Sequence, residues 1–438
     1  MKMTSLKIIY ILPIYWPAIG GCELHTHEVV KRLSSRHQVM VITQVDSQKQ
    51  KLKARKGKIA NNWFVTTIWA PRREKLYLDN KATVHRLGLN LAERALAYAA
   101  VRFHPDAEEF TMKMLIAIFK RKIFPLTEGA DLLHCVHGGV SYLGLTAYEI
   151  AKKRGIPFVY TPVAHLFTRQ NLRGESSQFL DASYFPDISF EPRQWRDRFW
   201  FDLSKKADAL ITMTEYEKAF FKKEGLKEEK IFPVGVGPIV SYKGDGKSFR
   251  QKYRLDNKKM VLFLGRKHES KGIVHVLESA HLVWQKYPEV YFFFIGPLEG
   301  RSKNIFERFR DRRIVEIGFV DDQEKASALD ACDIFCVPSI EESLGGVYLE
   351  AWMYEKPIIA ADIPPLRELT SNGKGGFLVY PRPEAVAEKI IFLLDKEDLR
   401  ITMGKWGKER VLKHYNWDRI EGQMEEIYSL LISSRIPP

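Results

Sequence analysis

The chain has 438 residues, 45% hydrophobic and 28% charged, which excludes a wholly disordered protein and gives room for two or three domains of ordinary size. Its 68 basic and 54 acidic residues leave a formal charge of +14, which favours anionic partners: phosphate-bearing ligands, an anionic membrane or nucleic acid. Four scattered cysteines, Cys22, Cys135, Cys332 and Cys336, make no disulfide framework and fit a reduced cytoplasmic compartment, and no apolar run approaches the roughly 18 residues that cross a bilayer.

The N-terminal MKMTSLKIIYILPIYWPAIGG imitates a signal peptide, with Lys2 and Lys7 ahead of an uncharged run. Pro13 interrupts that run and no clean cleavage site follows, so the segment reads as a buried strand ending in the glycine loop PAIGG. ELHTHEVVKRLSSR follows, with Leu24, Val29, Val30 and Leu33 at helical spacing, and then the β-branched strand QVMVIT. DLLHCVHGG, IPFVYTPVAH and ADALITMT repeat the strand-and-loop signal, with GLTAYEIAKKRG and EYEKAFFKKEG as helices. The front half is therefore α/β with a mostly parallel sheet. EKIFPVGVGPIV, punctuated by Gly235, Gly237 and Pro238, reads as a linker.

A second α/β series then starts afresh. MVLFLGR, VYFFFIG, RIVEIGFV, DIFCVPS and PIIAAD read as strands, and IVHVLESAHLVWQKYP, EKASALDAC and GGVYLEAWMYEK as helices. The nearly continuous apolar strands imply a sheet covered on both faces. Cys332 and Cys336 fall on one of them, with no His or Cys cluster nearby, and read as small buried thiols. In the tail, Trp417, Ile420, Met424, Ile427 and Leu431 share one helical stripe. Two doubly wound domains face to face leave a cleft at the carboxyl ends of both sheets, where ligands of such sheets bind.

Several loops aimed at that cleft carry chemistry. LGRKHESKG places Arg266 and Lys271 just past a strand and before a helix, a cation pair suited to a diphosphate. SIEESLGGVYLEAW holds Glu341, Glu342 and Glu350 around the Gly345-Gly346 pair. Such a pair lets backbone approach a ligand closely, and carboxylates suit the vicinal hydroxyls of a ribose or hexose. Glu341 reads as an ordinary helix-end acid. PAIGG contributes Gly20 and Gly21 from the opposite side, and TPVAH ends in His165. His25, His27, His134 and His137 are lone histidines without zinc-type spacing, so no metal site is expected.

GR-x4-KG at Gly265 to Gly272, followed by PS-x-x-ES-x-G-x4-EA at Pro338 to Ala351, resembles glycosyltransferase family 4. GG-x-E at Gly20 to Glu23, AD-x-x-I-x-x-T at Ala207 to Thr214, KPIIAAD with Glu368, and WDRIEGQMEEIY also fit that family. The resemblance implies a GT-B fold: α/β, with two Rossmann-like domains facing across a cleft and a C-terminal helix crossing back to the first. The corresponding divisions are 1–236 for the acceptor side, 237–412 for the nucleotide-sugar side and 413–438 for the crossing helix. It also implies retaining transfer of a hexose from a nucleotide diphosphate sugar, a UDP or GDP sugar, with no cofactor or bound metal required.

Carried onto this chain, the resemblance gives Arg266 and Lys271 the diphosphate and Glu350 the ribose hydroxyls. Glu342 and the backbone of Ser343, Leu344, Gly345 and Gly346 take the donor sugar. The Phe319 region meets the base, Gly20 and Gly21 approach the phosphates, and His165 lies beside the reacting sugar. Leu344 stands where the family usually has Phe.

Segments 63–129 and 167–201 match nothing in the family pattern and read as acceptor-side. KQKLKARKGK (Lys49 to Lys58), MKMLIAIFKRKIF (Met112 to Phe124, with Lys120, Arg121 and Lys122) and RFWFDL after Arg193 and Arg196 combine cations with apolar residues. Such stretches have two readings: an anionic membrane surface that would suit a lipid, lipid-linked glycan or glycan acceptor on a cytoplasmic, membrane-peripheral protein, or a solvated charge run and an ordinary core helix. A GT-B epimerase or phosphorylase is the nearest rival. A non-enzymatic nucleic-acid binder is the more distant one, disfavoured by the lack of any recognised module for reading bases.

Overall fold

The structure, a computed structural model, describes residues 5–17, 20–44, 71, 73–96, 107–136, 142–163, 201–240 and 243–435. Two sheets organise it. The first holds β1 (Lys7–Ile11), β2 (Gln38–Thr43), β3 (Lys75–Asp79), β4 (Ala82–Arg86), β5 (Leu132–Val136), β6 (Phe158–Thr161), β7 (Ala209–Thr212) and β8 (Ile231–Pro233), in the order β3-β4-β2-β1-β5-β6-β7-β8. The second holds β9 (Met260–Leu264), β10 (Tyr291–Ile295), β11 (Ile314–Ile317), β12 (Ile334–Val337), β13 (Ile358–Ala361) and β14 (Gly376–Val379), in the order β11-β10-β9-β12-β13-β14. All neighbours are parallel except β3 against β4.

Composition explains the layering. Every residue of β9, β12 and β13 is buried, so neither face of the second sheet meets water and helices must cover both. In each sheet the strand order reverses beside a central strand, β1 next to β5 and β9 next to β12. Such reversal points leave a crevice at the carboxyl ends of the strands, because the following connections depart to opposite faces.

The last helix, Trp417–Ser433, crosses back to the first sheet. Ile420, Met424, Ile427 and Tyr428 are buried there against β1, β2 and β5 residues. The Tyr428 hydroxyl lies 2.6 Å from that of Tyr10 and 2.7 Å from His134 Nδ1, while His134 Nε2 reaches Thr161 Oγ1 at 2.8 Å. Trp417 donates its indole N–H to Pro238 O at 2.9 Å, so the crossing helix also holds the connection between the sheets.

Two expectations change and one pair of readings is decided. The expected linker begins too early, because Ile231–Pro233 forms β8 and pairs with β7. Residues 75–86, unplaced from sequence, form an antiparallel hairpin whose turn has Asn80 at φ 55°. Lastly, of the two readings of Met112 to Phe124, its apolar part follows the core helix. It belongs to the helix Ala107–Leu126, and Met112, Leu115, Phe119 and Ile123 are buried in the first core. Lys120 pairs with Glu149, and Lys122 lies 3.2 Å from Glu93. Residues 49–58 and 164–200, which carry the other basic stretches, lie outside the described residues.

Candidate active site at the facing strand ends

The loop after β9 starts at Gly265, φ 144°, against Gly296, φ 136°; a Cβ on Gly296 would fall 1.9 Å from Gly265 O. Only glycine permits this backbone crossing. Arg266 then points outward, 54% exposed, with Nη1 at 3.1 Å from Glu299 Oε2. A 3-10 turn, Glu269–Lys271, ends at Gly272 in the left-handed region, φ 81°, where a Cβ would fall 2.5 Å from Pro338 O. That close approach brings the loops after β9 and β12 together. Lys271 Nζ spans them, donating to Glu341 O at 2.9 Å and to Glu342 Oε1 at 2.7 Å.

The helix Gly346–Met353 opens from Gly345, φ 93°, where a Cβ would fall 2.5 Å from the Tyr348 ring. Its first N–H groups follow Glu342 by a few residues in the chain and favour negative charge. The Leu344 side chain is buried in the second core, so Leu344 offers the cleft only its backbone. Glu350 is buried one turn into the helix, with Lys325 Nζ 3.3 Å away, and Lys325 also donates to Ile239 O at 2.8 Å. Burial raises the Glu350 carboxyl pKa, with Lys325 pulling it back. Phe319, just past β11, is 60% exposed.

Opposite, Gly20 caps the helix Gly21–Leu33 in extended conformation, and the space beyond Gly21 is open. The Glu23 carboxylate folds back over Gly20, where a Cβ would overlap it at 2.2 Å. Burial raises the Glu23 pKa, while the Arg266 charge, from the other sheet's side, lowers it. His165 lies outside the described residues.

The structure thus places Arg266 and Lys271 on the loop after β9, Glu342, Ser343 and Gly345 on the loop after β12, and Gly346 and Glu350 on the helix that follows, with Gly20 and Gly21 at the start of the helix after β1. Sequence reasoning missed the partners: Glu299 for Arg266, Lys325 for Glu350, and the buried Lys267. Only register and loop packing reveal these pairs; a cation 25 positions before its acid, as with Lys325 and Glu350, gives no local signal. Among the described residues no group of three or more His, Cys, Asp or Glu is arranged to hold a metal ion.

Known families match both halves of the chain. Residues 245–410 match the model of the group 1 glycosyl transferases, and residues 20–237 match the glycosyl transferase 4-like domain. The chain belongs to glycosyltransferase family 4, with the GT-B fold. This glycosyltransferase is 31% identical over 206 residues to a phosphatidyl-myo-inositol mannosyltransferase of Mycobacterium tuberculosis, covering 43% of this chain and 53% of that protein. The match thus spans about half the length of that relative. An uncharacterised glycosyltransferase of Methanocaldococcus jannaschii is 25% identical over 437 residues, covering 98% of this chain and 99% of that one. Among solved structures, Anabaena HepE in complex with UDP-glucose superposes with a TM-score of 0.69 at 18% identity, covering 97% of this chain and all of that chain. Sucrose-phosphate synthase from Thermosynechococcus elongatus gives 0.68 at 18% identity, covering 98% of this chain and all of the other. At these identities the likeness is one of fold. No helix among the described residues is long and apolar enough to cross a membrane.

Proposed function

We propose that this glycosyltransferase moves a hexose from a nucleotide diphosphate sugar to a hydroxyl acceptor with retention of configuration. The observation that carries the proposal is the meeting of Lys271 with Glu342 at 2.7 Å, beside the first turn of Gly346–Met353 and on the same rim as Arg266. Two cations and a helix N-terminus suit a diphosphate, and the adjoining carboxylate suits sugar hydroxyls. Arg266 and Lys271 hold the diphosphate. Glu342 and the backbone of Ser343 to Gly346 hold the sugar, Glu350 takes the ribose hydroxyls, and Phe319 lies against the base. Gly20 and Gly21 let the first domain close on the phosphates, and His165 stands beside the reacting sugar.

The proposed chemistry needs no cofactor and no separate general base. The bond between the anomeric carbon and the diphosphate oxygen breaks, and its electron pair leaves with the diphosphate. Fixed positive charge stabilises that leaving group. The acceptor oxygen forms the new bond on the same face, and its proton passes to the departing oxygen.

The domain division 1–236, 237–412 and 413–438 belongs to this proposal, with the acceptor on the first domain. The relative named a phosphatidyl-myo-inositol mannosyltransferase supports a lipid, lipid-linked glycan or glycan acceptor. Leu76 and Leu78, 67% and 72% exposed on the edge strand β3, support approach to an anionic membrane from the cytoplasm. Thermal stabilisation by a panel of nucleoside diphosphates and their sugars tests the donor class. NMR of the product's anomeric centre tests retention, and co-sedimentation with anionic vesicles tests the membrane partner.

A further inference from the structure

We infer that Lys267 is a positioning residue that fixes the base end of the donor site and so sets which nucleobase is accepted; this rests on the donor site proposed above. Lys267 sits between Arg266 and the 3-10 turn, in a run of charge that reads as solvated. Its side chain is instead fully buried, at 0% exposure. Burying an ammonium costs several kcal/mol unless it is paired and hydrogen-bonded, so the position has a specific use for the charge.

That use is visible in its partners. Lys267 Nζ donates to Ile317 O at 2.7 Å and pairs with Glu316, both at the end of β11. Its own backbone bridges to Leu298 in the loop after β10: its N–H donates to Pro297 O at 2.8 Å, and its carbonyl accepts from Glu299 N at 3.2 Å. Gly296 N, at the end of β10, lies 3.1 Å from both Ile317 O and Gly318 O. One buried cation therefore joins three consecutive strand-end loops, those after β9, β10 and β11.

The β11 end needs such an anchor because it is the outer strand of its sheet. Its ladder with β10 stops at the pair Ile295 and Ile317. Beyond it, Gly318 and Phe319 lead toward Lys325, whose ammonium touches Glu350. The base must lie past the ribose end of the ligand, on this segment. Its edge is then read by the backbone groups and ring of Gly318 and Phe319, whose orientation follows the Ile317 carbonyl held by Lys267. The diphosphate contacts at Arg266 and Lys271 do not depend on that carbonyl.

The test measures affinities of wild type, Lys267→Met and Glu316→Gln for UDP, GDP, CDP and ADP, and for inorganic pyrophosphate, by calorimetry or competition. Methionine keeps the volume and removes the ammonium. For Lys267→Met the preferred nucleoside diphosphate is expected to bind about tenfold more weakly, and discrimination among bases to shrink by a similar factor, the scale of one charge-assisted hydrogen bond. Pyrophosphate affinity is expected to stay within about twofold. Glu316→Gln, on a side chain 34% exposed, is expected to act in the same direction more weakly and decides the matter if the first variant does not fold. Retained base discrimination in a folded variant overturns the inference, as does equal weakening of nucleotide and pyrophosphate. A wild type that binds neither defeats the donor site itself, a separate result.

Discussion

Lys271 and Glu342 lie 71 positions apart in the chain and 2.7 Å apart in space, and each side chain is nearly buried, at 14% and 10% exposure. The pair therefore serves the fold as well as the proposed chemistry. Removing one partner takes a close counter-charge from the other, at a cost of up to ~3–5 kcal/mol for a buried pair. Lys271→Met is expected to lower both the melting temperature and turnover. The double variant Lys271→Met, Glu342→Gln is expected to regain most of the stability and none of the turnover, measured as a four-protein cycle of melts and initial rates. Recovery of turnover alongside stability contradicts the assignment.

Glu342 and Glu350 are expected to separate kinetically. Glu350→Gln keeps the shape of the proposed ribose contact and removes its charge, so donor KM is expected to rise about tenfold with kcat little changed. Glu342→Gln is expected to lower kcat more than it raises KM, because the proposed sugar contact matters most at transfer. Steady-state kinetics with the donor that best stabilises the protein checks both.

Gly345 stands at φ 93°, and a side chain there would meet the Tyr348 ring, whose hydroxyl donates to Val337 O at 2.6 Å. Gly345→Ala is expected to cost about 1–3 kcal/mol from left-handed strain and the clash together. Donor affinity is expected to fall with it, because the same turn aims the helix N-terminus. Gly422→Ala, in the crossing helix with open space around it, is the control expected to leave donor affinity unchanged and to raise stability by about 0.5–1 kcal/mol.

Glu217 makes stability depend on pH. It is buried, with Oε2 accepting from Met213 N at 2.7 Å and Oε1 without a hydrogen-bond partner. Burial, with Glu368 adding like charge, raises its pKa from 4.5 to about 8. A raised carboxyl pKa means that the folded state keeps its proton where the unfolded state loses it. This residue's contribution is therefore fullest below about pH 4.5 and declines as pH rises toward about 8. Glu217→Gln is expected to flatten that slope, matching wild type near pH 5 and exceeding it at pH 8 by on the order of 2–4 kcal/mol. Denaturant titrations at the two pH values measure it.

Glu368 ties the two sheets together. Its carboxylate accepts from the N–H groups of Glu215 and Tyr216, each at 2.9 Å, so a residue beside the second sheet caps the helix Glu215–Lys223 of the first. Glu368→Ala exposes both amides and is expected to cost about 1–2 kcal/mol, the scale of a lost N-cap. It is also expected to widen the distribution of inter-domain distances seen by small-angle scattering.

Much of this was legible in the sequence for physical reasons. MVLFL and IIAA are apolar at every position because both faces of the second sheet are covered, and the glycines at 265, 272 and 345 mark places where backbone meets backbone or ring. Lys267 was illegible. Nothing local distinguishes a cation that turns inward from its exposed neighbour Arg266, and only the packing of three strand ends decides it. The segment within the helix Ala107–Leu126 was ambiguous, since a basic amphipathic pattern serves a core as well as a membrane, and packing decides for the core. The hairpin Lys75–Arg86 was missed because its strands are short and its turn residues, Asp79 and Asn80, also suit an ordinary loop.

Arg266 offers the most direct test of the central claim. Its side chain is 54% exposed and its ion pair with Glu299 is a surface pair, worth at most about 1 kcal/mol, so Arg266→Ala is expected to leave the melting temperature nearly unchanged. Calorimetric titration of both proteins with the best-binding nucleoside diphosphate is expected to show tight binding by wild type and a loss of about tenfold or more in Arg266→Ala. Equal affinities in the two proteins, or no nucleoside diphosphate bound by wild type, would contradict the account.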